Sequence, residues 1–381
     1  MNRRQLLVTA AASLALAAPA LAASPIIRTR WTVRTSEGFD ALCFFGPLSG
    51  KPFYADYYRA ELAAFLPKLD AEAKAAIASL YAEADRENAL LGPNLCTQLS
   101  GGPDGTLLEL IAALEDAERV ILPSLQAGPY ALDARELANF MAQRPRVLIV
   151  LRGMQAAGFT EFRRGYVDSR AAIRLPALRE RLAGVDVIAE QERLLGRRFP
   201  DPSLEVILLY FSKPHGIKIQ GQRFLTHLDY PDEVVIRNAA HEMLHPPFDM
   251  AGPTARLALA TMTRDPLLTR VLTDHDPSFG YNTMEGILNE DTVQALEQIV
   301  SERLGVARPA GERWRKSDGG MHIFAAALYG MLKADGYGET GGNLEAWIAK
   351  GLKAGRFAPA SIAASASKVM ELPADGLWVK T

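Results

Sequence analysis

The sequence predicts an α+β fold: a small β-sheet layer packed on one central helix, a mostly helical C-terminal half and a helical N-terminal region. Three observations lead there. Ala-, Glu- and Leu-rich stretches with apolar residues at helical spacing dominate the first half. Runs typical of strands, broken by Gly and Pro, gather between residues 204 and 228. Helical patterns then resume from residue 254 onward. With 381 residues, 49% of them hydrophobic, the chain can bury one large core or two smaller ones.

The N-terminus reads as a targeting segment. Asn2-Arg3-Arg4-Gln5-Leu6-Leu7 leads into the apolar run Val8 to Ala18 and then Ala20-Leu21-Ala22, a small-x-small cleavage site. Residues 1–22 are therefore expected to be a signal peptide that is removed, which places the mature chain in the periplasm or outside the cell. The paired arginines followed by two leucines resemble a twin-arginine export signal, with an ordinary Sec signal as the alternative. No later apolar run reaches about 18 residues, so no stable membrane span is expected in the mature chain. Without the two signal arginines, 40 basic and 44 acidic side chains leave a formal charge of −4. That balance supplies no field for nucleic acid.

Residues 23–195 form the mostly helical N-terminal region. Ile26 to Val33 looks extended. Tyr54 to Leu91 reads as helix divided at Pro67, and Leu107 to Leu122 as another helix after the Gly101–Gly105 loop. Asp133 is positioned to N-cap a helix to Gln143, and Val147 to Leu151, after Pro145, reads as a buried strand. Leu178 to Leu195 is a charged helical stretch whose charges suit a solvated face. Cys43 and Cys96 are the only cysteines, so they either pair across a long loop or stay as two buried thiols.

Residues 196–381 form the second region, in which Leu204 to Phe211 reads as a strand and Gly216 to Leu228 as a hairpin around Gln220-Gly221. The hairpin, counted from Lys213, is a place where an edge strand could pair with an extended peptide. A helix then starts at Pro231-Asp232, with Asp232 as N-cap and Glu233 complementing the dipole. It carries His241-Glu242-Met243-Leu244-His245. Imidazoles four residues apart share one helix face, and with a carboxylate between them the pattern suits zinc-assisted hydrolysis with Glu242 as general base. Pro246-Pro247 ends the helix and biases His245 away from helical dihedrals.

A catalytic zinc site needs a third protein ligand and one open position. Tyr281 to Glu290 opens an amphipathic helix, Met284 to Leu304, in which Ile287, Leu288, Val293 and Leu296 supply the apolar face. Glu290 can be directed inward from it, with Glu285 and Glu297 as rivals that spacing alone does not exclude. Further helices are expected at Thr254 to Met262, Pro266 to Leu272 and His322 to Lys333, with two more after Gly342. His215, His227 and His275 lack a partner pattern and read as surface or loop residues. Asp274-His275-Asp276 lies on the segment between the motif and Tyr281.

These segments resemble the thermolysin-like zinc metallopeptidases, the gluzincin group, in which the short histidine motif is followed by an Asn-Glu pair. Tyr281, Gly286, Asn289 and Glu290 occupy the family's positions nine, four, one and zero residues before the ligand Glu. Ser317-Asp318-Gly319-Gly320-Met321-His322 is similar to the family's Asp-Asn-Gly-Gly-Val-His segment. The resemblance covers about 60 residues in three patches. It implies a zincin-like catalytic region, Zn2+ on His241, His245 and Glu290, and Tyr281 and His322 as oxyanion donors. Asp249 matches a family acid. Gln294 stands where the family has an acid that orients a zinc ligand, and Ser317 where it has an acid that keeps the histidine charged. The expected function is an exported zinc-dependent metallopeptidase acting on a peptide or protein substrate. The alternative is a non-catalytic, metal-binding protease scaffold serving as a periplasmic binding protein.

Overall fold

The computed structural model describes residues 27–87, 89–127 and 131–379; the expected signal peptide, residues 1–22, lies outside the described residues. Four strands, β1 (Arg30–Thr35), β2 (Ser203–Leu209), β3 (Ile217–Ile219) and β4 (Arg223–His227), form one sheet in the order β1-β2-β4-β3. β1, β2 and β4 run parallel, with Val33 opposite Val206 and Val206 opposite Phe224, while β3 returns antiparallel beside β4. Covered on both sides, β2 carries the near-continuous apolar run Val206-Ile207-Leu208-Leu209, all fully buried. The molecule is thus α+β, with one small sheet among many helices.

The expected division at residue 195 is crossed by the sheet, because β1 from the N-terminal region pairs with β2 some 170 residues later. The helices between them are fastened to the end of β2. Asp40, fully buried, forms an ion pair with Arg163 at 2.7 Å and accepts the backbone N–H groups of Tyr210 and Phe211 at 2.7 and 3.0 Å. Phe44, Phe65, Phe159, Phe162 and Phe211 pack around this junction, the closest rings 4.3 Å apart between centroids. Each such aromatic contributes roughly 1.5–3 kcal/mol by burial.

Several expectations are corrected here. Val147 to Leu151 is not a strand but lies inside a helix, Ala134–Ala156, that runs straight through Pro145. The Asp133–Glu136 capping box starts it, and the buried Phe140, Val147, Leu151 and Met154 recur at helical spacing, so packing decides what the short apolar run leaves open. Asp133 itself caps as expected. The segment up to Leu48 holds a buried helix, Glu37–Leu48, that its Gly46-Pro47 pair obscures. The charged stretch Leu178 to Leu195 belongs to two helices, Phe159–Leu182 and Val187–Leu195. Cys43 and Cys96 are buried free thiols with their sulfurs 3.8 Å apart. Among the described residues, no helix is long and apolar enough to cross a membrane.

Candidate metal centre

The helix Asp232–Glu242 lies against β4 because Val235, Ile236, Ala239 and Ala240 form its buried face. Asn238 fixes its rotation by donating to Thr226 Oγ1 of β4 at 2.9 Å, and Gln191 donates to the Ala240 carbonyl at 2.9 Å. Its N-cap is Pro231 rather than Asp232. Asp232 sits in the first turn and pairs with Arg174, while Glu233 beside it faces the positive helix end. The helix stops at Glu242, with Met243 as C-cap, so His245 lies beyond it. Pro246 disfavours helical dihedrals at His245, and the chain turns there.

Despite that turn the two imidazoles converge, with His241 Nε2 and His245 Nε2 3.2 Å apart. His241, Glu242 and His245 form a group that can hold a metal ion, their ligand atoms all within 4.8 Å of one another. Glu290 brings a carboxylate oxygen 3.6 Å from both Nε2 atoms. Nitrogen and oxygen ligands about 2.0–2.1 Å from a tetrahedral ion stand roughly 3.3 Å apart, so these three atoms suit a single cation. The rivals do not. Glu285 is exposed, and Glu297 is spent on an ion pair with Arg313 and a 2.6 Å hydrogen bond from Ser301.

Glu290 is delivered by the helix Met284–Arg303, started by Thr283, whose side chain accepts from the Gly286 N–H at 3.0 Å. This helix is buried from Glu290 to Ser301, so its polar side chains must find partners inside. Asn289 Oδ1 lies 3.2 Å from His245 Nδ1; accepting that N–H leaves Nε2 as the free lone pair. Gln294 donates to Glu290 Oε1 at 2.9 Å and accepts from Trp314 Nε1 at 3.1 Å, which leaves Glu290 Oε2 toward the imidazoles. Gln294 therefore orients the carboxylate itself, at the position where an acid was expected to orient a histidine. Its signal in the sequence is its place one helical turn after Glu290.

The charges of the cluster are balanced within it. Burial opposes ionisation of Glu290, yet the charge of His241, with the charged His322 adding to it, holds it well below the usual carboxylate range. Burial would lower His241 too, but Glu290 outweighs it and pushes it up to about 9, while burial takes His245 down to about 4. One positive charge, carried by a proton on His241, thus satisfies the group. A divalent cation at the same place would displace that proton. Burial raises the Glu242 pKa. Gly216 allows its approach, since a Cβ there would lie 3.3 Å from Glu242 Oε1.

Tyr281 and His322 sit side by side, ring centroids 5.4 Å apart, and both belong to the centre's surroundings. Burial, followed by the Glu290, Asp318 and Glu242 carboxylates, raises the Tyr281 hydroxyl well above its ordinary value. His322 is fully buried, donating from Nδ1 to Asp291 at 2.6 Å and from Nε2 to Asp318 at 2.7 Å. Burial alone would neutralise it, but the two carboxylates hold it protonated up to about 10. The absent acid at Ser317 is thus replaced by Asp318 and by Asp291, the residue after Glu290. Both His322 N–H groups are occupied.

Other expected residues lie elsewhere. Asp249 is exposed and closes a local turn by accepting from Ala251 N–H at 3.0 Å. His227 and His275 are buried rather than on the surface, His227 on β4 accepting from Asp229 N–H and His275 donating to helix carbonyls. His215 is half-buried against Phe53 and Tyr54. The outer edge of β3 is met by the segment from Thr97 to Ser100: the Lys218 carbonyl accepts from Thr97 Oγ1 at 3.0 Å, and the Gln220 N–H donates to Ser100 Oγ at 3.1 Å. No family model matches the chain, and no curated protein or solved structure matches it.

Proposed function

We propose that this chain is an exported zinc-dependent metallopeptidase of the thermolysin-like kind, with His241, His245 and Glu290 as metal ligands and Glu242 as general base. The observation that carries the reading is the convergence of His241 Nε2, His245 Nε2 and a Glu290 oxygen within 3.2–3.6 Å, from segments more than 40 residues apart. Zinc held there would polarise a substrate carbonyl and bring the pKa of water from about 15.7 toward about 7.

The chain's own groups then have distinct tasks. Glu242, its carboxyl raised by burial, takes the proton of the attacking water and returns it to the leaving amine. Tyr281 stays protonated at any working pH and donates its O–H to the oxyanion; one such donor typically supplies about 3–4 kcal/mol. His322 adds a buried positive charge behind Tyr281, its own N–H groups being engaged. Asn289 and Gln294 hold His245 and Glu290 in register.

The test is hydrolysis of an unfolded, reduced protein by the zinc-loaded chain, compared with Glu242→Gln. The reading predicts that the variant retains stoichiometric zinc and loses cleavage by at least about 1,000-fold. Full proteolysis by the variant would overturn the mechanism. Intact substrate with the zinc-loaded wild type would favour a non-catalytic metal-binding scaffold instead.

A further inference from the structure

A cavity of about 430 Å³ opens beside the candidate metal centre, sharing His241 and Glu242 with it and lined elsewhere by both charged and uncharged side chains. Three of these are arginines: Arg237 on the motif helix, Arg308 on the loop after the ligand helix, and Arg313 on the short helix that follows. Three carboxylates also line it, but each has a use. Glu297 is paired with Arg313, Asp318 accepts from the charged His322, and Glu242 serves the reaction.

Two of the arginines have donors to spare. Arg308 makes no side-chain hydrogen bond or ion pair with any described residue, and Arg237 makes one hydrogen bond, from Nη1 to the Val306 carbonyl at 2.7 Å. Arg313 is buried and committed to the Glu297 carboxylate and to Gln298 Oε1 at 2.9 Å, with only its Nε left without a partner. Burial and the neighbouring Arg313 guanidinium disfavour the charged forms of Arg237 and Arg308, against the opposing charge of Glu297. Arg308 is exposed on the cavity lining and Arg237 is half-buried beside it, so both keep N–H donors free to face an anion in the cavity. The planar guanidinium fork matches a carboxylate.

We propose that this cavity is a carboxylate-binding subsite, in which Arg308, with Arg237 and Arg313 beside it, selects substrates that carry a carboxylate next to the scissile bond. The proposal rests on the hydrolytic reading of the same centre and deepens it by naming the substrate class. The carboxylate comes either from an Asp or Glu side chain or from a free peptide C-terminus. Both present the same anion to the same fork.

The test uses the zinc-loaded chain and quenched fluorescent peptides of one sequence, carrying Glu, Ala or Lys after the scissile bond, each with a free or amidated C-terminus. Carboxylate-bearing peptides should show kcat/KM about 10–100-fold above neutral ones, the range of a charge-assisted hydrogen-bond pair. Arg308→Glu should invert the ranking in favour of Lys. Loss of preference on amidation assigns the C-terminus, and its persistence with Glu assigns the side chain. Calorimetric binding of glutarate to Glu242→Gln, lost on adding Arg308→Glu, reads the subsite without catalysis. Equal cleavage of acidic and neutral peptides, abolished by Glu242→Gln, would overturn the subsite and leave the hydrolytic reading standing. Arg308-dependent glutarate binding with no peptide cleaved would overturn that reading and leave the subsite.

Discussion

Replacing Gln294 by Leu removes two hydrogen bonds at nearly constant volume and so isolates what orients the Glu290 carboxylate. The first runs from Gln294 Nε2 to Glu290 Oε1 at 2.9 Å, and the second from Trp314 Nε1 to Gln294 Oε1 at 3.1 Å. Trp314 is fully buried, so its orphaned N–H costs about 1–3 kcal/mol, and the bond to the charged carboxylate is worth about 1.5–3 kcal/mol. The metal-free variant should therefore be about 2.5–6 kcal/mol less stable in urea. Partners of this outer kind typically change metal affinity by about 10–100-fold, or about 1.4–2.8 kcal/mol. Competition against a chromophoric chelator measures that directly. A folded Gln294→Leu protein that binds zinc as tightly as wild type would refute the assignment of Glu290 Oε2 to the metal.

Further consequences are equally specific. Asp40→Ala leaves the buried Arg163 uncompensated and should cost about 3–5 kcal/mol in chemical denaturation, without changing which peptides are cut. His322 is held protonated to about 10, against about 6.5 in an unfolded chain, so its contribution is complete below pH 6.5 and disappears as pH rises to about 10. The melting temperature of the wild type should fall across that window, and Asp291→Asn should flatten the fall. An aromatic disulfide reagent should find almost no reactive thiol in the native protein and two after unfolding, since Cys43 and Cys96 are buried with their sulfurs 3.8 Å apart. Chelation should lower the melting temperature; zinc at 100 times its Kd contributes about 2.7 kcal/mol.

The centre was legible because its chemistry is local. His241 and Glu242 end a helix and His245 follows only three residues later, so the four-residue spacing survives the turn, and Glu290 lies near the start of a helix whose apolar face can be counted. What escaped was set by contacts distant in sequence. The pairing of β1 with β2 spans some 170 residues, and nothing in Arg30–Thr35 names its partner. Val147 to Leu151 misled because five apolar residues suit a buried strand or a buried helix alike, and only the surrounding packing chooses. The roles of Asp291 and Asp318 also escaped, because a search for an acid at Ser317 overlooks one position later and another on a different helix that reach the same ring. Arg308 escaped for a further reason: a surface-loop arginine acquires meaning only once the cavity beside it is seen.

The most direct test of the metal centre is X-ray absorption at the zinc edge on the purified, zinc-loaded chain. One zinc per chain should appear, with only nitrogen and oxygen ligands at about 2.0–2.1 Å and the multiple scattering of two imidazoles. Absence of stoichiometric zinc, or a site with sulfur ligands, would contradict the assignment of His241, His245 and Glu290.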